Sequence, residues 1–403
     1  MNLFRFLKIF GRWGSSVSHM NWSHQHHLAY CTNVHPAENW QNTFAVLKND
    51  VLAVRDRLEK EGACDGPFSI GLRLSAQAAE ELLEGDNLQD FANWLQDTKT
   101  YVFTINGFPY GDFHGTRVKE KVYQPDWTTP ERLLYTKRLF EIIAQLAPAE
   151  CGGSVSTLPG SFKEFGADEA AIFTQLEECA LFIEELSQKS GKDLHLGLEP
   201  EPLGHFENTE ETLTFFERFL STVQDVEIVR QRIGLNYDCC HFAIEFDDCR
   251  SSLEAFHEAG IRISKVHLSS ALAFDPNDLE SLESLKRFDE PTYLHQVIVK
   301  GADGLQRAKD LPEFYESLDS GSLTFASQDQ ARCHFHVPLY AEAASPLGTT
   351  QSHVKEMLDY RAENPSFCNH FEIETYTWGV LPDGLQTDLT SQIVREFQWV
   401  LNY

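Results

Sequence analysis

Basic residues are scarce in this chain of 403 residues. Only 33 Lys and Arg stand against 61 Asp and Glu, which gives a formal net charge of −28 at pH 7. A field of that sign repels phosphate backbones and anionic bilayers. The sequence therefore predicts that nucleic acid is not a partner.

Several familiar motifs are also missing. No Gly-x-Gly-x-x-Gly follows the first predicted strand, and no Gly-x₄-Gly-Lys-Ser/Thr occurs in the chain, so neither a dinucleotide-binding sheet nor a P-loop is indicated. The nine cysteines include the adjacent pair Cys239 and Cys240 but no Cys-x-x-Cys. Their odd number and wide spacing favour reduced thiols, and we therefore expect a cytoplasmic protein.

The first 26 residues differ from the rest. Residues 1–13 combine three basic side chains with a short apolar run, which is typical of an interfacial amphipathic helix. This run is too short to span a bilayer, and no small-residue cleavage site follows it. A disordered leader, or a true start at Met20 instead of Met1, is the other interpretation.

From residue 27 onward, short β-branched or aromatic runs alternate with longer amphipathic segments, which indicates βα units and a parallel sheet. Helical patterns cover residues 38–58, 76–95, 130–146, 167–188 and 210–219. Eight strands are predicted at residues 28–35, 68–75, 101–107, 152–158, 194–201, 233–239, 263–269 and 371–376. The predicted fold is a (β/α)8 barrel of the α/β class, with residues 27–403 as one domain. An open doubly wound sheet is the alternative.

One connection is too long for an ordinary βα loop. About 100 residues, from 270 to 369, separate the seventh and eighth predicted strands. Two strand-like runs, at residues 293–299 and 333–340, lie within them. We therefore predict an insertion near the barrel mouth that contains an extra hairpin.

Ionisable residues lie near the C-terminal ends of the fifth to eighth predicted strands, where barrel enzymes carry their functional groups. They are Glu199 and Glu201, Asp238 and His241, His267, and Glu372 and Glu374. The two Glu pairs are each spaced to share one face of a strand. Singly, such a residue is more often a hydrogen-bonded structural group. Together they predict a cage for a divalent metal, and the mixture of carboxylate and imidazole does not select among Mn, Fe, Co, Zn and Mg.

Further candidates surround this cage. His334 and His336, in the insertion, are predicted to add metal ligands or to bind substrate, although alternation along a strand could turn one of them to solvent. The predicted substrate-binding residues are His35, Asn106, His114, Glu207 and Glu372. For His35, a polar cap on the first strand is an equal alternative. His114 belongs to an aromatic and glycine-rich loop that could act as a lid.

Several segments resemble a known superfamily. EPLGHFE (201–207), DCCH (238–241), HLSS (267–270) and IET (373–375) resemble the metal-binding strand ends of xylose-isomerase-like sugar isomerases and epimerases. They are also similar to the endonuclease IV group, in which residues like HFHV (334–337) complete a multinuclear site. More narrowly, YCTNVHP, GLRLSAQAAEEL, TINGFPYGDFHGTRVKE, DEPTYLHQVIV, LGTTQ and ETYTWGVLP resemble EboE metabolite-traffic proteins of bacteria, from about residue 27 to the C-terminus.

The resemblance implies a metal-binding barrel that works with a membrane protein in exporting a small metabolite towards the periplasm. If the barrel is an isomerase or epimerase, Glu199 and Glu374 would exchange a carbon-bound proton from opposite sides of the ligand. A non-catalytic carrier or scaffold for the membrane partner is the second interpretation. A metal-dependent endonuclease for abasic sites would use the same kinds of metal ligand, but this function conflicts with the charge of −28.

Overall fold

The structure, a computed structural model, describes residues 26–111, 119–341, 346–380 and 388–403. Eight parallel strands form one sheet. They are β1 (His27–Tyr30), β2 (Phe68–Arg73), β3 (Thr100–Asn106), β4 (Gly153–Thr157), β5 (Leu194–Leu198), β6 (Ile233–Asp238), β7 (Ile263–Leu268) and, after the five strands of the insertion, β13 (His370–Ile373). Their order in the sheet is β1-β13-β7-β6-β5-β4-β3-β2. A parallel bridge between Cys31 and Gly71 joins the two edges and closes the barrel. The predicted barrel is confirmed.

Helices surround the strands. They are α1 (Trp40–Val46), α2 (Leu52–Lys60), α3 (Ala76–Leu82), α4 (Asn87–Asp97), α5 (Pro130–Leu146), α6 (Glu169–Ser190), α7 (Thr209–Thr222), α8 (Val226–Arg232), α9 (Cys239–Ile244), α10 (Cys249–Glu258) and α14 (Leu389–Asn402), with three more in the insertion. No helix in the described ranges is both long and apolar enough to cross a membrane.

Helix α6 shows why these segments are helical. The Asp168 side chain accepts a hydrogen bond from the backbone N–H of Ala170 and so caps the first turn. Ile172, Leu176, Cys179 and Ile183 are buried at spacings of three and four residues, which gives one apolar face towards the sheet. The helix ends at Gly191, whose φ of 68° suits a residue without a Cβ.

The insertion is larger than the predicted hairpin. It forms a five-stranded antiparallel sheet, ordered β10-β9-β11-β8-β12. Its strands are β8 (Ser270–Phe274), β9 (Val297–Gly301), β10 (Gly304–Ala308), β11 (Gln330–Val337) and β12 (Gly348–Thr349), and its helices are α11 (Leu279–Leu285), α12 (Leu311–Ser320) and α13 (Gln351–Glu363). The insertion between the seventh and eighth barrel strands was correctly predicted, and the two strand-like runs became β9 and β11.

Some predicted boundaries are wrong. The first strand ends at Tyr30, because the chain turns into a short 3-10 helix at Thr32–Val34. A π-helical turn at Leu47–Val51 interrupts the helix predicted at 38–58. The helix predicted at 76–95 is two helices, since Gly85 lies between them with a φ of 55°. The interpretations of residues 1–26 fall outside the described residues, apart from His26.

Candidate metal centre

Three buried side chains meet where β5, β6 and β7 end. Glu199 follows the last residue of β5, Asp238 ends β6, and His267 is the penultimate residue of β7. His267 Nδ1 lies 3.1 Å from Glu199 Oε1 and 3.4 Å from Asp238 Oδ2. The strand register places Asp238 beside His267, so both side chains leave the sheet at the same level. One donor atom from each residue lies within 4.8 Å of the other two, a spacing that a single ion could bridge.

The triad places two buried carboxylates against one imidazole. Burial opposes a charge on His267, yet Glu199 raises the pKa of its imidazole well above the usual range. Burial likewise opposes ionisation of Asp238, but the nearby His241 holds the pKa of that carboxyl well below its ordinary value. Asp238 Oδ2 is buried and makes no hydrogen bond. Two carboxylates therefore face one imidazole, a donor set that suits a divalent metal.

Three further imidazoles lie beside the triad. His241 belongs to α9, while His334 and His336 lie on β11 of the insertion. Their ring centroids are 5.1 to 5.5 Å apart. The insertion sheet thus contributes two histidines to the barrel mouth, and neither turns to solvent, because their exposed fractions are 4% and 0%.

The hydrogen bonds of these three rings settle which nitrogen faces the centre. Each Nδ1 contacts a backbone carbonyl oxygen, at 2.8 Å from Pro200 for His241, 3.3 Å from Leu294 for His334 and 2.8 Å from Glu374 for His336. A carbonyl only accepts, so Nδ1 donates, and Nε2 is the nitrogen that is left to bind a metal. The Nε2 atoms of His334 and His336 are buried without a hydrogen-bond partner. This arrangement is the one by which proteins orient histidine ligands towards a metal.

The triad and the donor groups that contain the three further histidines have one residue in common. Glu199, Asp238 and His267 form one group of mutually close donors. The overlapping groups are Asp238 with His241 and His336, Glu201 with His241 and His334, and Cys240 with His334 and His336. Asp238 belongs to both sets, and its two oxygens point to different ones, since Oδ2 faces His267 and Oδ1 lies 3.7 Å from His241 Nε2. The residues present therefore fit one or more divalent ions.

Cys240 is a donor that the sequence analysis did not include. Its thiol is fully buried beside His334 and His336. The available signal was its position one residue before His241 and two after Asp238, where the chain turns from β6 into α9. A thiol with two imidazoles favours zinc-type ions over magnesium.

Glu372 and Glu374 are both buried, at different depths of the barrel. Strand β13 ends at Ile373, and the N–H of Glu374 still donates to the Leu268 carbonyl oxygen of β7 at 3.0 Å. Its Oε2 lies 2.6 Å from Lys265 Nζ and 3.0 Å from His267 Nε2. Glu374 lies at the mouth, where its Oε2 is 3.0 Å from His336 Nδ1 and Asn33 donates to its Oε1 at 2.6 Å. Glu372 therefore supports the centre from below, while Glu374 faces the cleft.

A cleft opens above these donors. Glu199, Glu201, His241, His334 and Glu374 line its floor. Tyr123, Tyr293 and Tyr376 form part of its walls together with Asn33 and Asn106. The Asn106 side chain also contacts the Cys31 thiol at 3.4 Å and accepts a hydrogen bond from the N–H of Phe108. Asn106 thus lines the cleft, and its contact with a substrate stays a prediction.

Two other predicted substrate-binding residues lie away from the cleft lining. His35 is buried with its Nε2 3.0 Å from the Tyr30 hydroxyl, which fits the alternative of a polar cap. Glu207 is also buried. Its carboxylate accepts from the N–H of Leu203 at 2.7 Å and from the Gln296 amide at 2.8 Å. His114 lies outside the described residues.

The burial of His35 gives a testable pH dependence. Burial lowers the pKa of His35 from 6.5 to about 4. The unfolded chain takes up this proton at higher pH, so the stability that neutral His35 contributes is fully present above about pH 6.5 and is lost as the pH falls towards 4. We expect the unfolding free energy of His35→Gln, measured by urea titration, to fall less than that of wild type as the pH is lowered across this window.

Exposed His257 provides the control, because the unfolding free energy of His257→Gln should follow that of wild type. Equal dependence on pH in all three proteins would contradict the expectation.

No protein-family model matches the chain, and no curated protein matches it. Solved structures do. The probable 3-DHS dehydratase AsbF of petrobactin synthesis from Bacillus anthracis is 12% identical, with a TM-score of 0.45 over 93% of this chain and 98% of that one. The IolI protein with a bound zinc atom is 15% identical, with a TM-score of 0.45 over 93% and 95%. A xylose isomerase domain protein from Salmonella typhimurium LT2 is 11% identical, with a TM-score of 0.42 over 96% and 98%. At these identities and TM-scores the similarities carry no argument about function, so the chemistry of this chain has to be argued from its own residues.

Proposed function

We propose that this chain is a metal-dependent isomerase or epimerase of a small metabolite. The observation that carries the proposal is the meeting of Glu199, Asp238 and His267 with buried, unpartnered imidazole nitrogens at the barrel mouth. Unpaired carboxylates and imidazoles are costly to bury, and a cation is the simplest common partner. The cleft directly above gives a small molecule access to that centre.

The proposed chemistry needs two carboxylates at the ligand. A bound divalent metal would polarise neighbouring oxygens of the metabolite and so acidify the adjoining C–H bond. Glu199 and Glu374 both line the cleft, and they would remove and return the carbon-bound proton. The Asn33 amide orients Glu374 through its hydrogen bond to Oε1. The tyrosine walls would limit access of water to the exchanging proton.

Two measurements test this function in sequence. Protein purified without chelator is first examined by elemental analysis, and we expect at least about one equivalent of a first-row transition metal or magnesium per chain. The metal-loaded protein is then incubated with a panel of sugars, polyols and polyphenols in deuterated water. Deuterium at carbon supports the isomerase. Metal-free protein from several growth media would rule out the catalytic interpretation.

A carrier of the EboE type is the second candidate. The resemblance of segments across the chain to EboE proteins favours it, as do the tyrosine walls of the cleft, which can hold a ring without transforming it. In this role the cytoplasmic barrel would hold a metabolite for a membrane partner that exports it towards the periplasm. A ligand that binds but acquires no deuterium supports the carrier. Deletion of the gene should then leave the metabolite precursor inside the cell.

Nucleic acid is not expected to bind. The net charge of −28 opposes phosphate approach. We expect no salt-sensitive binding to duplex DNA at micromolar protein, measured by fluorescence anisotropy with an intact duplex and with one that contains an abasic site. Tight binding, or cleavage at the abasic site, would favour an endonuclease over the isomerase and the carrier.

A further inference from the structure

A row of buried charged side chains lies beneath the metal-binding triad. Lys265 and Glu372 are both fully buried inside the barrel, on the neighbouring strands β7 and β13. Lys265 Nζ lies 2.6 Å from Glu372 Oε2 and 3.1 Å from Ser156 Oγ. The same Glu372 oxygen lies 3.0 Å from His267 Nε2. The strand register sets Glu372 directly beside His267, so this contact follows from the sheet itself.

The contacts of His267 show which ring nitrogen faces Glu372 and which faces the other two members of the triad. The ammonium of Lys265 supplies the charge that an ionised Glu372 requires. An ionised carboxylate only accepts, so the proton in the contact belongs to His267 Nε2. Nδ1 faces Glu199 and Asp238, so it is the ring nitrogen that an ion held by these two carboxylates would bind. The Asn236 amide is 3.3 and 3.4 Å from the two ring nitrogens and does not distinguish them.

The barrel wall leaves room for this carboxylate. Gly71 lies on β2, at the seam where the barrel closes. A Cβ at this position would be 1.8 Å from Glu372 Oε1 and 2.6 Å from the Tyr30 carbonyl oxygen. Any side chain at residue 71 would therefore displace Glu372 or the backbone of β1. The glycine at residue 71 therefore leaves the space that the Glu372 carboxylate fills.

We propose that Glu372 and Lys265 are positioning residues that fix the orientation and tautomer of His267, so that its Nδ1 faces the metal held with Glu199 and Asp238. This proposal rests on the metal centre of the proposed function. It replaces the prediction that Glu372 binds substrate. Carboxylates that orient histidine ligands in this way are worth about 10- to 100-fold in metal affinity.

The competing explanation is that the pair only fills the barrel core. Replacing a buried ion pair with apolar residues of similar volume is often neutral or stabilising. A purely structural pair can therefore be removed without harm to the rest of the molecule. Removal of a positioning pair would lower the metal affinity, because His267 Nε2 would lose its acceptor. Removal of both charges together separates the two roles, since it leaves no single buried charge behind.

The test uses the full chain with both residues replaced, Lys265→Met with Glu372→Leu. Cobalt(II) is the probe, and its affinity is measured by competition with a chromophoric chelator. We expect the double variant to fold with a thermal midpoint close to or above that of apo wild type. We expect its cobalt affinity to fall about 10- to 100-fold. The visible cobalt absorption bands should also change, because the ligand geometry is no longer fixed.

A second variant removes the carboxylate position without changing any charge. Gly71→Ala should displace Glu372 and weaken cobalt binding in the same direction. Glu245→Gln is the matched control, because Glu245 is a buried carboxylate outside the cleft lining that pairs with Arg307. It should leave cobalt affinity unchanged even where it lowers stability. Unchanged affinity and spectrum in the folded double variant would overturn the positioning role. If wild type itself binds no cobalt, the proposed metal centre fails instead.

Discussion

Replacing Asp238 by Ala should strip most of the bound metal from the protein. Asp238 belongs both to the triad with Glu199 and His267 and to the group with His241 and His336, so its loss removes a donor from each. We expect the metal content by elemental analysis to fall from at least about one equivalent per chain to a small fraction. His267→Ala should have the same effect, because it removes the imidazole of the triad.

The Asp238 side chain also has a structural role that the control must separate. Its Oδ1 accepts from the N–H of His241 and caps helix α9. Loss of such a cap costs about 0.5–2 kcal/mol of stability. Asp238→Asn keeps the capping oxygen and the shape but removes the charge that attracts a cation. Metal loss in both variants, with near-normal stability in Asp238→Asn, would identify ligation as the cause. Full metal content in Asp238→Asn and Asp238→Ala would exclude Asp238 as a ligand.

The barrel could be predicted because its signal is repeated. Buried parallel strands read as short apolar runs, and eight of them alternate with amphipathic segments along the chain. The insertion lacks such repetition. Its strand β12 has only two residues, and β10 is mostly exposed, so neither produces a readable pattern. The sequence therefore showed where the barrel is interrupted but not the size of the sheet that interrupts it.

The site could be predicted as far as strand ends determine position. Parallel strands bring their C-terminal ends to one mouth, and this alone brought Glu199, Asp238 and His267 together. The same reasoning did not show that Glu372 and Glu374 lie at different depths, with Glu372 against His267 inside the barrel and Glu374 at the cleft. Reasoning from strand ends also did not identify Lys265, because the depth of a residue within a barrel depends on the register between strands. A single sequence does not show that register.

Replacing Glu374 by Gln should abolish proton exchange and leave the fold intact. The carboxylate lies at the cleft with Asn33 and His336 as its partners, and Gln keeps an acceptor for one of the two. Asn33 donates to Oε1, and Gln retains one oxygen there. Gln has nearly the same shape but cannot accept a carbon-bound proton. General base catalysis typically supplies about 10²- to 10⁴-fold, so the loss should exceed the error of a simple assay.

The assay incubates protein, metal and a ligand shown to bind in deuterated water and follows deuterium at carbon by mass spectrometry. Glu245→Gln is the matched control, since it removes a buried carboxylate from outside the cleft lining and should exchange like wild type. Metal content and thermal midpoint are measured in parallel, because Glu374 contacts His336 and so borders the donor cluster. Exchange that persists in metal-loaded Glu374→Gln would eliminate Glu374 as the base. No exchange in wild type with a bound ligand would favour the carrier, in which the same carboxylates only hold the metabolite in place.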